Sequence, residues 1–229
     1  SHLCEVLRDS GVDVQVIADG RTGSIVVLVQ PNGQRSFLTD RGVASHLAHF
    51  DATLMNDVSI LHVPTYSLTD EPLASTCVQY INSARANGAL ISLDASSSSV
   101  LKHYGTDRYR SLIETLKPEV FLCNEDEAAV LGVSAKQPMN GAVLTVIKQG
   151  PLPVIAVQHD GTTTEVAVTP VANIVDTTGA GDAFAAGFLP RYAQSKYIAE
   201  AITQGNTLAS RVLQSPGATL NTSQQQEQL

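Results

Sequence analysis

Apolar and polar positions change period several times along the 229 residues. From Val58 onward, short β-type runs alternate with stretches of helical period. Val58-Ser-Ile-Leu-His-Val63 reads as a strand, and a helix over Leu73–Ala86 follows, closed by Gly88, which accepts the positive φ at a helix end. Ala89-Leu-Ile-Ser-Leu93 is the next strand and closes on Asp94. A helical stretch near Tyr109–Leu116 stops before Pro118, Glu119–Leu122 is a short buried strand, and Glu125–Leu131 is a helix ending at Gly132. This alternation predicts an α/β fold, a mostly parallel sheet flanked by helices.

Two regions break the alternation. Ser24–Gln30 and Gln34–Thr39 alternate as strands around Pro31-Asn32-Gly33, a hairpin turn in which Gly accepts positive φ. With Val12–Ala18 showing no helical period, residues 12–40 form a separate small β element. The second break is a β meander over Ala142–Lys148, Pro153–Gln158 and Thr163–Val168, turning at Asp160-Gly161. Leu3–Arg8 reads as a helix, and the Gln-rich Gln224–Gln228 as a frayed tail.

Composition narrows the function classes. Hydrophobic residues make up 43% and charged ones 16%, as in an ordinary globular protein. The net charge is -8 and the 14 Lys and Arg form no run, so no basic stripe is offered to nucleic acid or an anionic membrane. No apolar run approaches the ~20 residues of a membrane span, and no signal-peptide pattern is present, which predicts a cytoplasmic protein. Cys4, Cys77 and Cys123 are too few and scattered for a disulfide framework or zinc site, and the six histidines lack metal spacing. An acidic chain still binds phosphates where backbone amides do so.

Such amides are offered by Asp176-Thr-Thr-Gly-Ala-Gly-Asp-Ala-Phe184, which follows the apolar Val171–Val175 and precedes the helical Ala185–Leu189. Two glycines allow a sharp turn, so that the amides of Gly179, Ala180 and Gly181 converge on one concavity, and the following helix adds its positive dipole end. Asp182 sits at the first turn, where a carboxylate accepts a proton from a hydroxyl. The same string also reads as a Gly-rich loop with an ordinary first-turn acid.

The nine-residue string resembles the C-terminal motif of the ribokinase-like (PfkB) sugar kinases, and the resemblance extends over nearly the whole chain. Asn124-Glu-Asp-Glu127 is similar to the family's Asn-x-x-Glu motif, Thr22-Gly23-Ser24 with its hairpin to part of the small β lid, and Asn206 and Pro216-Gly217-Ala218 to the segments bordering the adenine. The resemblance implies transfer of the ATP γ-phosphoryl group to a hydroxyl of a sugar or sugar-like alcohol. Asp182 is then the general base, and Gly179, Ala180 and Gly181 form the anion hole with the Asp182 amide. Asn124 and Glu127 hold Mg²⁺ through water, a role compatible with helix capping. Asp176 and Thr178 offer carbonyl oxygens to K⁺. Lys148-Gln-Gly150 resembles the nucleotide-side strand end. Pro153 replaces the usual second glycine there, so the turn differs, and Lys148 either approaches the phosphates or is a solvated strand end.

Arg41 is the substrate-binding candidate beside the lid, set against a plain surface arginine. Asp94 either lines the site or caps the next helix. The family's first strand, acidic sugar ligand and Gly-Gly loop have no counterpart before Leu3, so the chain is expected to lack an N-terminal segment, leaving a strand such as that of Leu61 or Ile91 without a neighbour. A homodimer through the β lid is a further expectation. Two readings compete with the kinase. A dinucleotide-binding oxidoreductase requires Gly-x-Gly-x-x-Gly, and position 184 is Phe. A non-catalytic nucleotide-binding or interaction module derived from such a kinase is the alternative that the missing segment raises and the retained Asp182 opposes.

Overall fold

The structure is a computed structural model that describes residues 2–17, 20–29 and 35–218. A helix α1 (His2–Asp9) precedes a two-stranded antiparallel ribbon, β1 (Thr22–Val29) and β2 (Arg35–Gly42). The ribbon ends later than the sequence suggests, at Gly42, and residues 12–17 contribute no strand to it. The Pro31-Asn32-Gly33 turn lies outside the described residues. Both faces of β1 carry exposed apolar side chains: Ile25 and Val27 alternate with Val26 and Leu28, all about half exposed.

The remainder is a six-stranded sheet in the order β3 (Ile60–Pro64), β4 (Leu90–Asp94), β5 (Val120–Asn124), β6 (Leu144–Lys148), β7 (Val154–Gln158), β8 (Thr163–Val166). β3 to β6 run parallel, and β7 and β8 close the sheet as an antiparallel meander. Leu61 lies on the edge strand β3, and Ile91 of β4 is paired on both sides.

Alternation along each strand distributes two cores. Ile91, Leu93, Phe121, Cys123 and Ile147 face α2 (Leu73–Ala86), α3 (Ser98–Tyr104), α4 (Thr106–Leu116) and α5 (Glu125–Leu131). Leu90, Val120, Leu122, Leu144 and Val146 face α6 (Ala180–Ser195) and α7 (Ile198–Val212). Strands buried on both faces read as near-continuous apolar runs, the pattern that made them visible in the sequence. Helix α3 is the element the sequence pattern does not show. It begins in the run Ser96–Ser99, where Ser97 caps it by accepting from the Val100 amide. Gly105, at φ 97, then turns the chain directly into α4, which begins before Tyr109.

Helices α6 and α7 meet at unusually short range. A side chain added at Gly187 would place its Cβ 2.6 Å from the Gln204 carbonyl, and one at Gly205 would meet the Phe184 ring at 2.8 Å. No helix among the described residues is long and apolar enough to cross a membrane.

Candidate active site

The segment 176–182 folds as a turn into the first residues of α6, five residues earlier than the apolar period alone indicates. Gly179, the residue before the helix, has φ 77, and a Cβ there would lie 2.4 Å from Ala218 Cβ, so both backbone angle and packing demand glycine. No side chain caps the helix. Ala180 N–H donates to the Thr177 carbonyl at 3.3 Å and Ala183 N–H to that of Gly179 at 2.8 Å. Among the described residues the N–H groups of Gly179, Gly181 and Asp182 have no acceptor. Three unspent donors at the positive end of a helix are groups that an anion can accept from.

Asp176 holds the turn from the other side. Its Oδ1 accepts from the Thr178 amide at 2.9 Å and the Thr178 hydroxyl at 2.8 Å, and its Oδ2 accepts from the Gly217 amide at 3.1 Å. Gly217 and the 176–179 turn are therefore one unit. The exposed Asp182 carboxylate lines a cavity of about 290 Å³ with Ile60, His62, Ala185, Ala186, Leu189 and Pro190. His62 was not singled out in the sequence. Its Nδ1 lies 3.1 Å from Ser92 Oγ on the neighbouring strand, and burial lowers its pKa despite the opposing pull of Asp94. A polar residue in the middle of each of two paired apolar strands is the signal that would have found it.

Lys148 ends β6 and is no solvated strand end: its side chain is 15% exposed, and its Nζ lies 3.0 Å from Asp94 Oδ2. Burial alone would weaken its hold on the proton, but the Asp94 charge and hydrogen bond outweigh that and raise its pKa. Asp94 caps no helix, since Ser97 does so. The position a Cβ would take on Gly181 is 3.4 Å from Lys148 Nζ, so this ammonium lies directly against the turn.

Between them, at the end of β5, Asn124 and Glu127 form a complete capping box. Asn124 Oδ1 accepts from the Glu127 amide at 2.9 Å, while the Asn124 amide and Nδ2 donate to the Glu127 carboxylate at 2.8 and 2.9 Å. Burial is the main influence raising the Glu127 pKa. Asn124 is exposed and adjoins Lys148 in register.

Further along the same edge, Gly150 takes φ 58 in the turn after β6, with open space around it. Asn206 Nδ2 on α7 and Ser215 Oγ beyond it are buried without a hydrogen-bond partner among the described residues. Orphaned donors of this kind call for an acceptor. Arg41 is not brought to this cluster. It pairs with Asp70 at 3.0 Å, donates to the Tyr66 carbonyl at 3.2 Å, and lines a separate cavity of about 480 Å³ with His103, Tyr104 and Arg108.

The structure of adenosine kinase from Sinorhizobium meliloti superposes on 98% of this chain and 72% of its own, with a TM-score of 0.85 at 20% identity, which defines the fold as that of ribokinase-like kinases. The chain belongs to the pfkB family of carbohydrate kinases, whose family model matches residues 1–225. An uncharacterized sugar kinase of Archaeoglobus fulgidus is 28% identical over 90% of this chain and 82% of its own. The aminoimidazole riboside kinase of Salmonella typhimurium is 28% identical over 94% of this chain and 73% of its own. The protein is thus a carbohydrate kinase, and its family implies ATP-dependent phosphoryl transfer.

Proposed function

We propose that the protein transfers the ATP γ-phosphoryl group to a hydroxyl of a sugar or sugar-like alcohol, with Asp182 as general base. The observation that carries this reading is the uncapped start of α6, where three unengaged amides and one carboxylate share a single helical turn. In it, Gly179, Ala180, Gly181 and Asp182 surround the phosphoryl group in flight, and Asp182 takes the proton of the attacking hydroxyl. Electrostatic complementarity to that group, not covalent chemistry, supplies most of the acceleration.

The residues fit the nucleotide and its metal. Asn206 Nδ2 is a buried donor in need of an acceptor, which suits the base edge, and Gly150 and Gly217 are assigned to the same nucleotide. Lys148 supplies positive charge on the phosphate side. No cluster of three His, Cys, Asp or Glu exists among the described residues to cage a metal directly. Mg²⁺, which keeps several of its waters, is instead held through water by Asn124 and Glu127, whose oxygens retain lone pairs beyond the capping box. Bound there, Mg²⁺ would neutralise charge on the phosphate oxygens. The carbonyls of Asp176 and Thr178 are assigned to K⁺, for which the carboxylate-tied turn is a rigid frame. Arg41, paired with Asp70 and lining a separate cavity, is given no part in this site. The ribbon, whose β1 exposes apolar side chains on both faces, is the surface through which a homodimer would form.

The test is Asp182→Asn. General-base catalysis contributes about 10²–10⁴-fold, so kcat with the best acceptor of a sugar and nucleoside panel should fall by that factor while ATP affinity is kept. Near-parental kcat removes Asp182 from the chemistry, and loss of nucleotide binding together with the fold makes it a structural residue. Replacing K⁺ by Na⁺ in the same assay, without loss of rate, removes the cation assignment.

A further inference from the structure

The Lys148–Asp94 pair has a geometry that nucleotide binding alone does not explain. β4 and β6 are not neighbours; β5 lies between them. The lysine therefore reaches across the end of β5 to meet the aspartate, and its ammonium comes to rest under Gly181. Asp94 is fixed at several points. Its Oδ1 accepts from the Ser96 amide at 2.7 Å, and its carbonyl accepts from the Thr65 hydroxyl at 2.8 Å and the Ser96 hydroxyl at 2.9 Å. Thr65 is in turn buried against the Tyr109 hydroxyl at 2.6 Å. A rigid carboxylate thus holds a rigid cation against the inner side of the open turn.

Burying such a pair is a poor way to stabilise a fold, because an apolar pair of equal volume commonly does as well or better. The pair also lies at the carboxyl ends of parallel strands, where ligands of open α/β sheets sit. We infer that Asp94 and Lys148 form a fixed charge clamp that acts through the Gly179–Asp182 turn, with Asp94 a positioning residue that aims the Lys148 ammonium at the phosphoryl group in flight. The inference rests on the reading of that turn as the phosphoryl hole. Because the cation sits behind the amides, its field is felt most when negative charge gathers over them, so it favours the transition state over bound ATP. Its signature is a loss in kcat with little change in the KM for ATP.

Lys148→Met alone leaves an unpaired buried carboxylate and risks the fold, so the neutral pair Lys148→Met/Asp94→Asn is the variant of choice. Its kcat should fall about 10²-fold, the scale of losing one transition-state donor, with the KM for ATP and ADP affinity within about threefold of parental values. Affinity for ADP, Mg²⁺ and aluminium fluoride together, a mimic of the group in flight, should fall by the same factor as kcat. A folded neutral pair with parental kcat and parental fluoroaluminate affinity overturns the clamp. Should that variant not fold, Asp94→Asn decides, since it keeps the cation and removes its counter-charge. A matched fall in kcat and fluoroaluminate affinity, with the KM for ATP unchanged, supports the clamp, and parental values of both overturn it. Gly179→Ala, which reshapes the turn itself, separates the two readings. If it is inactive and the neutral pair is fully active, the clamp alone falls; if both are active, the phosphoryl-hole reading falls with it.

Discussion

Two helices begin at the same edge of the sheet and are finished in opposite ways. At α5 the capping box engages the Asn124 and Glu127 amides, each with a side-chain oxygen of the other residue. At α6 no side chain caps the start, glycine occupies the position where Ser, Asn or Asp would ordinarily sit, and three amides are left over. A helix start left open costs stability unless something occupies it, so the capped start and the open one differ in what they leave for a ligand. The capped start fixes the end of β5; the open one keeps its amides available.

After Asp182→Asn, the largest effect expected from breaking this contrast is at Gly179. Gly179→Ala forces a side chain into positive φ, at about 1–3 kcal/mol, and drives its Cβ against Ala218. The turn must reshape, and kcat should fall by at least ~10²-fold; unchanged kcat would mean that the open amides are not used. Glu127→Gln keeps the shape of the closed start but removes its charge. The Mg²⁺ concentration for half-maximal rate should rise about tenfold, as for residues that support a metal without ligating it, and an identical Mg²⁺ titration would leave Glu127 a capping residue only. Asn124→Ala opens the closed start and should lower stability by about 1 kcal/mol in chemical denaturation. The smallest effect concerns His62, whose pKa burial lowers below the ordinary 6.5. The unfolded chain then takes up this proton first, so the stability it contributes is complete above pH 6.5 and is lost as pH falls through the folded-state value. His62→Gln should make melting temperature fall less steeply on acidification, and parallel curves would exclude the residue from the pH response.

Legibility followed the range of the interactions. Strands β3 to β7 announced themselves because burial on two faces leaves continuous apolar runs, and Gly88 and Gly132 ended their helices as local chemistry requires. The capping box at Asn124 was readable because its two members stand three residues apart. Helix α3 was hidden by the serines that start it, since a polar run that caps a helix reads as a loop until its partner amide is located. The beginning of α6 was displaced because Gly-Ala-Gly lacks helical preference; contact with Ala218 and the packing of Phe184 and Phe188 impose the helix there. For Lys148 the decisive partner lies 54 residues away in sequence. No local pattern distinguishes a lysine that ends in water from one that crosses a strand to meet a carboxylate.

The glycine contact between α6 and α7 sets a scale for the whole site. With Gly187 against the Gln204 backbone and Gly205 against Phe184, the two helices have no cushion of side chains in which to slide or tilt independently. One carries the open amides at its start, and the other carries Asn206. The span between the two is a ruler cut by main-chain contact, and the nucleotide proposed to bridge them would have to match it. A residue as small as alanine at 187 or 205 would lengthen the ruler, and the ligand it measures would have to stretch to follow.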